Sequence, residues 1–252
     1  MKTSTIYHNV LNNYKKPAIV LVWLFLWQLA SDWLGHELLL VSPLRTVETL
    51  LELSTEREFW YSIGNSLFHC MSAFLLALAV GGLLAFLGWR VPLLHEFLMP
   101  PLSAMKATPV ASFIILVLLW ASSQAVSMVC AFVMVMPIVY ANIYQGFCNI
   151  DQKLLEVGQA FALERRQYLK LIYVPSLKPY LLSACTVGIG FCWKSGVAAE
   201  VIGLPNHTIG MHLYNAKVYL ETPELFAWTL TVVLLSVGIE KLLLRVLRRV
   251  LR

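Results

Sequence analysis

The sequence predicts an all-α polytopic membrane protein of six transmembrane helices with both termini on the cytoplasmic side. Three observations carry this. Residues are 59% hydrophobic and only 13% charged, with a mean hydropathy of +0.71, whereas soluble domains carry about 25% charged residues. The apolar residues form continuous runs that approach the roughly 20 residues needed to cross a bilayer, not the alternating segments of a β-barrel. Of the 19 Lys and Arg, only Arg45, Arg57 and Lys217 fall on the outer side of such a topology and Lys194 falls within a span. All the others lie inside, as the positive-inside bias requires. The chain, residues 1–252, reads as a single transmembrane domain.

The first span is expected at about Pro17–Leu34, preceded by Lys2, Lys15 and Lys16. It is too long for a signal-peptide core and has a poor cleavage site at Leu29-Ala30-Ser31, so it reads as an uncleaved anchor. In the outer loop Gly35–Tyr61, Ser42-Pro43 followed by Leu44, Val47, Leu50 and Leu51 predicts a short amphipathic surface helix. The second span is Ile63–Trp89. The third, Pro109–Trp120, is short and is expected to borrow from Leu98–Ala107. The fourth is about Ala125–Ile143 and the fifth Leu177–Gly203. In the outer loop Leu204–Thr222, Met211, Leu213, Val218 and Leu220 predict a short helix folding back. Thr222-Pro223-Glu224 then opens the sixth span, Leu225–Leu244, with a cap, a first-turn proline and an acid at the positive dipole end.

Several function classes drop out. The basic balance, pI near 9.0, is explained by topology and not by nucleic acid. Cys70, Cys130, Cys148, Cys185 and Cys192 contain no CxxC pair and read as small packing residues. His36-Glu37 and His95-Glu96 begin like a zinc-protease motif, but Leu40 and Met99 stand where the second histidine would be. No metal site is expected. His69 is expected to be a hydrogen-bonded interior histidine, and His207 and His212 to be solvated. No Ser/His constellation supports catalysis, so the chain is not expected to be an enzyme. Small residues at Ala184, Gly188 and Gly196, and at Gly81, Gly82 and Gly88, fit close helix packing.

The loop between the fourth and fifth spans, about 148–176, is unusually polar and helix-forming. Leu155, Phe161, Leu163, Leu169, Ile172 and Val174 alternate with Glu156, Glu164, Arg165, Arg166 and Lys170. Gly158, Ala160 and Ala162 form a small-residue face, and Pro175 is expected to stop the helix before the next span. Periodicity leaves two readings open: a docking surface for a soluble partner, or an interfacial helix resting on the inner leaflet.

The stretch Glu156-Val157-Gly158, three residues, Ala162, nine residues, Ile172, Tyr173, Val174-Pro175 follows the spacing of a family signature. It resembles the cytoplasmic "EAA" signature of permease subunits of ATP-binding-cassette (ABC) importers: Glu-Ala-Ala, three residues, Gly, nine residues, Ile, one residue, Leu-Pro. It departs at Val157, Gly158, Ala162 and Val174. Since Gly marks a bend between two short helices in the family, Ala162 predicts a gentler bend or one carried by its neighbours. Trp193, with Ala198-Ala199-Glu200-Val201-Ile202-Gly203, is similar to the fifth-span segment of the nitrate/sulfonate/taurine-type branch, as are Ser42-Pro43, Pro100, Pro109 and Pro137 in position.

The resemblance implies a type I ABC importer-like permease fold in the bacterial cytoplasmic (inner) membrane. It implies a homodimer forming the substrate pathway, two cytoplasmic ABC ATPase subunits, and an extracytoplasmic substrate-binding protein. The ATPase-coupling loop would be carried by Glu156, Gly158, Ala162, Leu163, Glu164, Arg165, Ile172 and Pro175, with the coupling helix centred on Glu156–Arg166. ATP would be bound by the partner, because this chain has no GxxxxGK[ST] and no cofactor of its own. The substrate is expected to be a small anion or small organic molecule. A channel or scaffold without ATP coupling is the alternative.

Within the fifth span, Trp193, Lys194 and Glu200 are candidates for the pathway or gate. Six residues of helix turn about 600°, so Lys194 and Glu200 point about 120° apart and are not expected to pair. An ionisable residue in a span costs about 2.5–3.5 kcal/mol on insertion scales and faces a cavity or partner. Two readings of Lys194 stay open: it snorkels to the outer boundary, or it lines the pathway and favours anions. Glu200 is expected to accept hydrogen bonds near the outer gate.

Overall fold

The computed structural model describes the backbone of residues 3–250 and the side chains of residues 18–249. Every described regular element is a helix. In chain order these are α1 (Thr3–Leu34), α2 (Pro43–Ser54), α3 (Arg57–Arg90), α4 (Pro92–Ala107), α5 (Val110–Leu118), α6 (Ser123–Cys148), α7 (Gln152–Ala160) and α8 (Arg165–Tyr168). A π-helical turn (Leu169–Tyr173) leads into α9 (Val174–Gly203), followed by α10 (Ile209–Val218) and α11 (Thr222–Val250).

Among the described residues, three helices are long and apolar enough to cross a membrane: Arg57–Arg90, Ser123–Cys148 and the continuous run Arg165–Gly203. The pair α4 and α5 would make a fourth. The apolar part of α1, Ala18–Leu34, is shorter. Its side chains are bare, with Trp23 68% and Leu21 65% exposed, an apolar surface suited to lipid and not to water.

The third expected span, Pro109–Trp120 borrowing from Leu98–Ala107, corresponds to the pair α4 and α5, which is sharply bent. α4 and α5 meet at a bend of 103° instead of forming one straight helix. The cause is local: Thr108 precedes Pro109, and the proline ring drives the residue before it out of the helical region. Thr108 is extended at ψ 126°, and Pro109, also extended, caps α5.

The chain divides into two compact units. One comprises Met1–Phe59 and His212–Thr231. There the expected surface helix α2 is present, and Ser42 Oγ accepts from Arg45 N at 3.2 Å as its cap. The hairpin before it is held by Trp27 Nε1 donating to Val41 O and Ser31 Oγ donating to Leu40 O, both at 2.9 Å. His212, expected to be solvated, instead stacks on Trp228 with centroids 4.6 Å apart and lies 3.8 Å from Glu58. The aromatic face of Trp228 recovers more by covering the imidazole than by standing in water.

The other unit comprises Trp60–Met211 and Val232–Arg252. Its core is the pair α6 and α9, with α5 packed on both and α3 alongside. The small residues work as the sequence suggested. A Cβ on Gly81 would stand 3.0 Å from Met136 O, and one on Gly196 2.6 Å from Cys70 Sγ. Cys70, Cys130, Cys185 and Cys192 are buried free thiols, while Cys148 is exposed. His69 differs from expectation: its Nδ1 is buried without a hydrogen-bond partner.

Candidate functional site

Polar chemistry concentrates in the loop between α6 and α9 and in a buried carboxylate cluster. The loop is built from its caps. Asp151 accepts from Lys153 N at 2.9 Å and starts α7. At its other end, Ala162 N donates to Gln159 O and Leu163 N donates to Gly158 O, both at 3.0 Å. With Ala162 at φ 47°, this is a complete Schellman closure, whose left-handed position normally holds glycine. The bend expected to soften or move away from Ala162 therefore lies on Ala162 itself. Two backbone hydrogen bonds hold it there against the steric cost of a Cβ, about 1–2 kcal/mol.

The chain restarts at Glu164, which forms a capping box with Gln167; Glu164 N donates to Gln167 Oε1 at 2.8 Å. Gly158 is buried, and a Cβ there would stand 2.8 Å from the Tyr168 ring. Tyr168 Oη also donates to Leu155 O at 3.3 Å. The small-residue face is thus used inside the loop. Gly158 lets α7 fold onto Tyr168, while Ala160 and Ala162 remain exposed. The outward side carries Glu156, Glu164, Arg165 and Arg166 together with Phe161, 76% exposed, and Val157, 51% exposed. Leu163 is half-buried and Ile172 is buried.

Pro175 does not stop a helix. It occupies the first turn of α9, directly after the π-helical turn, and the run Arg165–Gly203 is unbroken. Val174 N reaches back to Leu169 O across the widened turn. That turn shifts the carbonyls a proline ring would strike, and Pro175 sits where its missing N–H costs least.

At the far end of α9, Glu200 is fully buried. Ser66 Oγ of α3 donates to its Oε2 at 2.8 Å, Gly210 N of α10 donates to the same oxygen at 3.2 Å, and Ser127 Oγ of α6 approaches Oε1 at 3.3 Å. Ser66 Oγ in turn accepts from Ile209 N at 3.0 Å, and Thr208 Oγ1 accepts from Met211 N at 3.3 Å. A helix leaves its first N–H groups without internal partners. Those of α10 are satisfied by Ser66 of α3, Glu200 of α9 and Thr208 at its own start, so Glu200 serves α10 as a hydrogen-bond acceptor. Gly210 packs directly on the Glu200 backbone, so that a Cβ there would meet Val201 N at 2.6 Å.

The expectation that Glu200 accepts hydrogen bonds is met. Its partners Ser66, Ser127 and Gly210 escaped the sequence reading. The only signal was a serine on each of two apolar helices, which is too common to identify a partner. Lys194 does not join this cluster. Its side chain is exposed, with Nζ 6.0 Å from the Phe191 ring centroid. With Trp193, it borders an apolar groove of about 510 Å³ completed by Val197, Val201, Val233 and Val237. Trp193 is buried, with its Nε1 unpartnered. Among the described residues, no group of His, Cys, Asp or Glu is arranged to hold a metal ion.

Residues 77–252, well over half the chain, match the model of the binding-protein-dependent transport system inner membrane component. The chain belongs to that family. Within this permease family it is similar to the putative aliphatic sulfonates transport permease protein SsuC of Bacillus subtilis (strain 168), at 25% identity over 84% of this chain and 76% of that one. It is 23% identical to the taurine transport system permease protein TauC of Escherichia coli (strain K12), over 92% and 84% of the two chains. It is 26% identical to the nitrate import permease protein NrtB of Synechocystis sp. (strain ATCC 27184 / PCC 6803 / Kazusa), over 91% and 84%. The family places the chain among inner-membrane components of binding-protein-dependent transport systems, and these three relatives are named for sulfonate, taurine and nitrate transport.

Proposed function

We propose that this chain is the transmembrane permease subunit of an ABC importer in the bacterial inner membrane. It spans the membrane six times with both termini inside, using α1, α3, the bent pair α4 and α5, α6, α9 and α11. Two copies form the substrate pathway. A separate cytoplasmic ATPase binds and hydrolyses ATP and docks on the loop carried by Glu156, Gly158, Ala162, Leu163, Glu164, Arg165, Ile172 and Pro175, of which Gly158 and Ile172 shape it from within. A binding protein delivers the substrate from outside.

The observation that carries this reading is the loop's construction within a chain of the permease family. Its bend is closed by two backbone hydrogen bonds at Ala162 and its inner face is locked by Gly158 against Tyr168, while charged residues and Phe161 face outward. A helix resting on lipid would bury Phe161 and Val157 in the leaflet and would need no such rigid closure. The substrate is a small anion or small organic molecule, and Lys194 at the rim of an apolar groove supports the anion. Trp193 and Glu200 then belong to the wall and gate of the pathway.

The test is purification of the tagged chain in mild detergent, wild type beside Glu156→Lys. A nucleotide-binding subunit should accompany the wild type, with ATPase activity, and be lost from the variant. Wild type that brings no ATPase through several detergents would sink the importer reading in favour of a channel or scaffold. The same complexes carrying Lys194→Met should transport poorly, and full transport would remove Lys194 from the pathway.

A further inference from the structure

The C-terminal ends of α3 and α6 meet α8 and the π-helical turn around a pocket of about 560 Å³. That volume lies within the range of small-molecule sites, about 300–1,000 Å³, and every residue lining the pocket is described. Two chemistries meet in it. The wall is aromatic: Trp89 stacks on Phe147 with centroids 5.1 Å apart and 19° between the planes, and Tyr173 stands edge-on to Trp89 at 6.1 Å. The rest of the lining is cationic at two points. Arg90 lies over the Trp89 ring, its guanidinium carbon 5.4 Å from the centroid, and Arg165 enters from the start of α8. No carboxylate lines the pocket, and among the described residues neither guanidinium forms an ion pair. The groove at Lys194, between α9 and α11, is a separate cavity.

An arginine laid on an aromatic face is held there by cation–π attraction. Its planar fork still matches the oxygens of a carboxylate or sulfonate. Stacked rings gain most from another flat apolar body set against them. An inorganic anion would use the arginines and leave the rings idle, and a neutral ring would do the reverse. The backbone supplies an independent pointer. π-turns are rare and recur at functional sites, and here the first and last residues of the turn, Leu169 and Tyr173, both line the pocket. We infer that this pocket binds a small organic anion, a sulfonate or carboxylate carried on a flat apolar body. Its opening toward the cytoplasm rests on the topology proposed above.

The test titrates 2-naphthalenesulfonate calorimetrically into the full-length chain in mild detergent, against a blank of empty micelles. Wild type should bind it saturably. Naphthalene-2-sulfonamide keeps the rings and loses the charge, while sulfate keeps the charge and loses the rings. Each should bind at least about tenfold more weakly. Arg90→Gln should weaken the sulfonate by a similar factor, and Lys106→Gln, which removes a cation elsewhere, should leave it unchanged. A second measurement needs no variant. Trypsin must take the Arg165 side chain to cut after it, so 2-naphthalenesulfonate should slow that cleavage severalfold and sulfate should not. Equal binding of the sulfonamide or of sulfate, full binding by Arg90→Gln, equal loss in Lys106→Gln, or unprotected cleavage at Arg165 overturns the inference. Displacement of the sulfonate by phosphatidylglycerol also overturns it and makes the pocket a lipid site. Binding is read on the detergent-solubilised chain alone, so failure of the importer reading or of the topology leaves these results unchanged.

Discussion

Replacing Glu200 separates two explanations of the buried cluster. In Glu200→Ala, Gly210 N–H and the Ser66 hydroxyl lose the oxygen that both share at 3.2 and 2.8 Å. Ser127 is spared, because its hydroxyl already has Gly196 O at 3.2 Å. Two stranded buried donors cost about 2 kcal/mol each, and the void left by the side chain adds about 1 kcal/mol. The total is about 5 kcal/mol, reduced by about 1–2 kcal/mol because a buried carboxylate no longer has to be desolvated. For a chain of this length 1 kcal/mol moves Tm by about 2–4 °C, so Tm should fall by about 10 °C. Glu200→Gln should behave differently. With its carbonyl oxygen in the Oε2 position it still accepts from Ser66 and Gly210. Its amide then donates to Ser127 Oγ, which keeps its own bond to Gly196 O. Tm should stay within about 2 °C of wild type. The assay is thermal unfolding in detergent followed with a thiol-reactive dye, since Cys70 and Cys192 are buried beside the cluster. A glutamine variant that falls as far as alanine would show that negative charge, and not acceptor geometry, holds α10, and would refute this account.

Two further outcomes follow from the loop. Ala162→Gly should stabilise the bend by about 1 kcal/mol, because glycine adopts a φ of 47° without strain. It should show as slower proteolysis of the loop, and faster proteolysis would contradict the Schellman closure. Gly158→Ala should force the Tyr168 ring away from a contact of 2.8 Å, separate α7 from α8, and reduce ATPase co-purification severalfold while the chain still inserts. Unchanged recovery would mean that the Gly158–Tyr168 contact does not shape the docking surface.

What could be read from the sequence was what local chemistry determines. The Ser42 cap of α2, the short helix α10 and the packing role of Gly81 and Gly196 each depend on residues within a turn or two, or on a side chain that is simply absent. Pairings across the chain were out of reach. Ser66 and Glu200 are 134 residues apart, and nothing on either apolar helix marks the other. Proline acted through its surroundings, and only Pro175 had been read, as a helix stop. Pro109 broke a span because its effect falls on the residue before it, whereas Pro175 broke nothing because a π-turn had already moved the carbonyls. Ala162 was misjudged because steric preference was weighed without the two hydrogen bonds that override it. His212 was expected in water because it lies in an outer loop, yet its covering partner, Trp228, comes from the next helix.

The unbroken helical run Arg165–Gly203, 39 residues long, has the build of a pushrod for the importer proposed above. At about 1.5 Å per residue it extends for nearly 60 Å, and no loop along it can absorb a displacement. Its near end is joined to the locked elbow at Ala162 through the Glu164 cap, and its far end holds α10 by the Glu200 carboxylate. In that proposed importer, a partner gripping the elbow would pull through this run on the cap of α10 at its far end, with stiff secondary structure to carry the stroke.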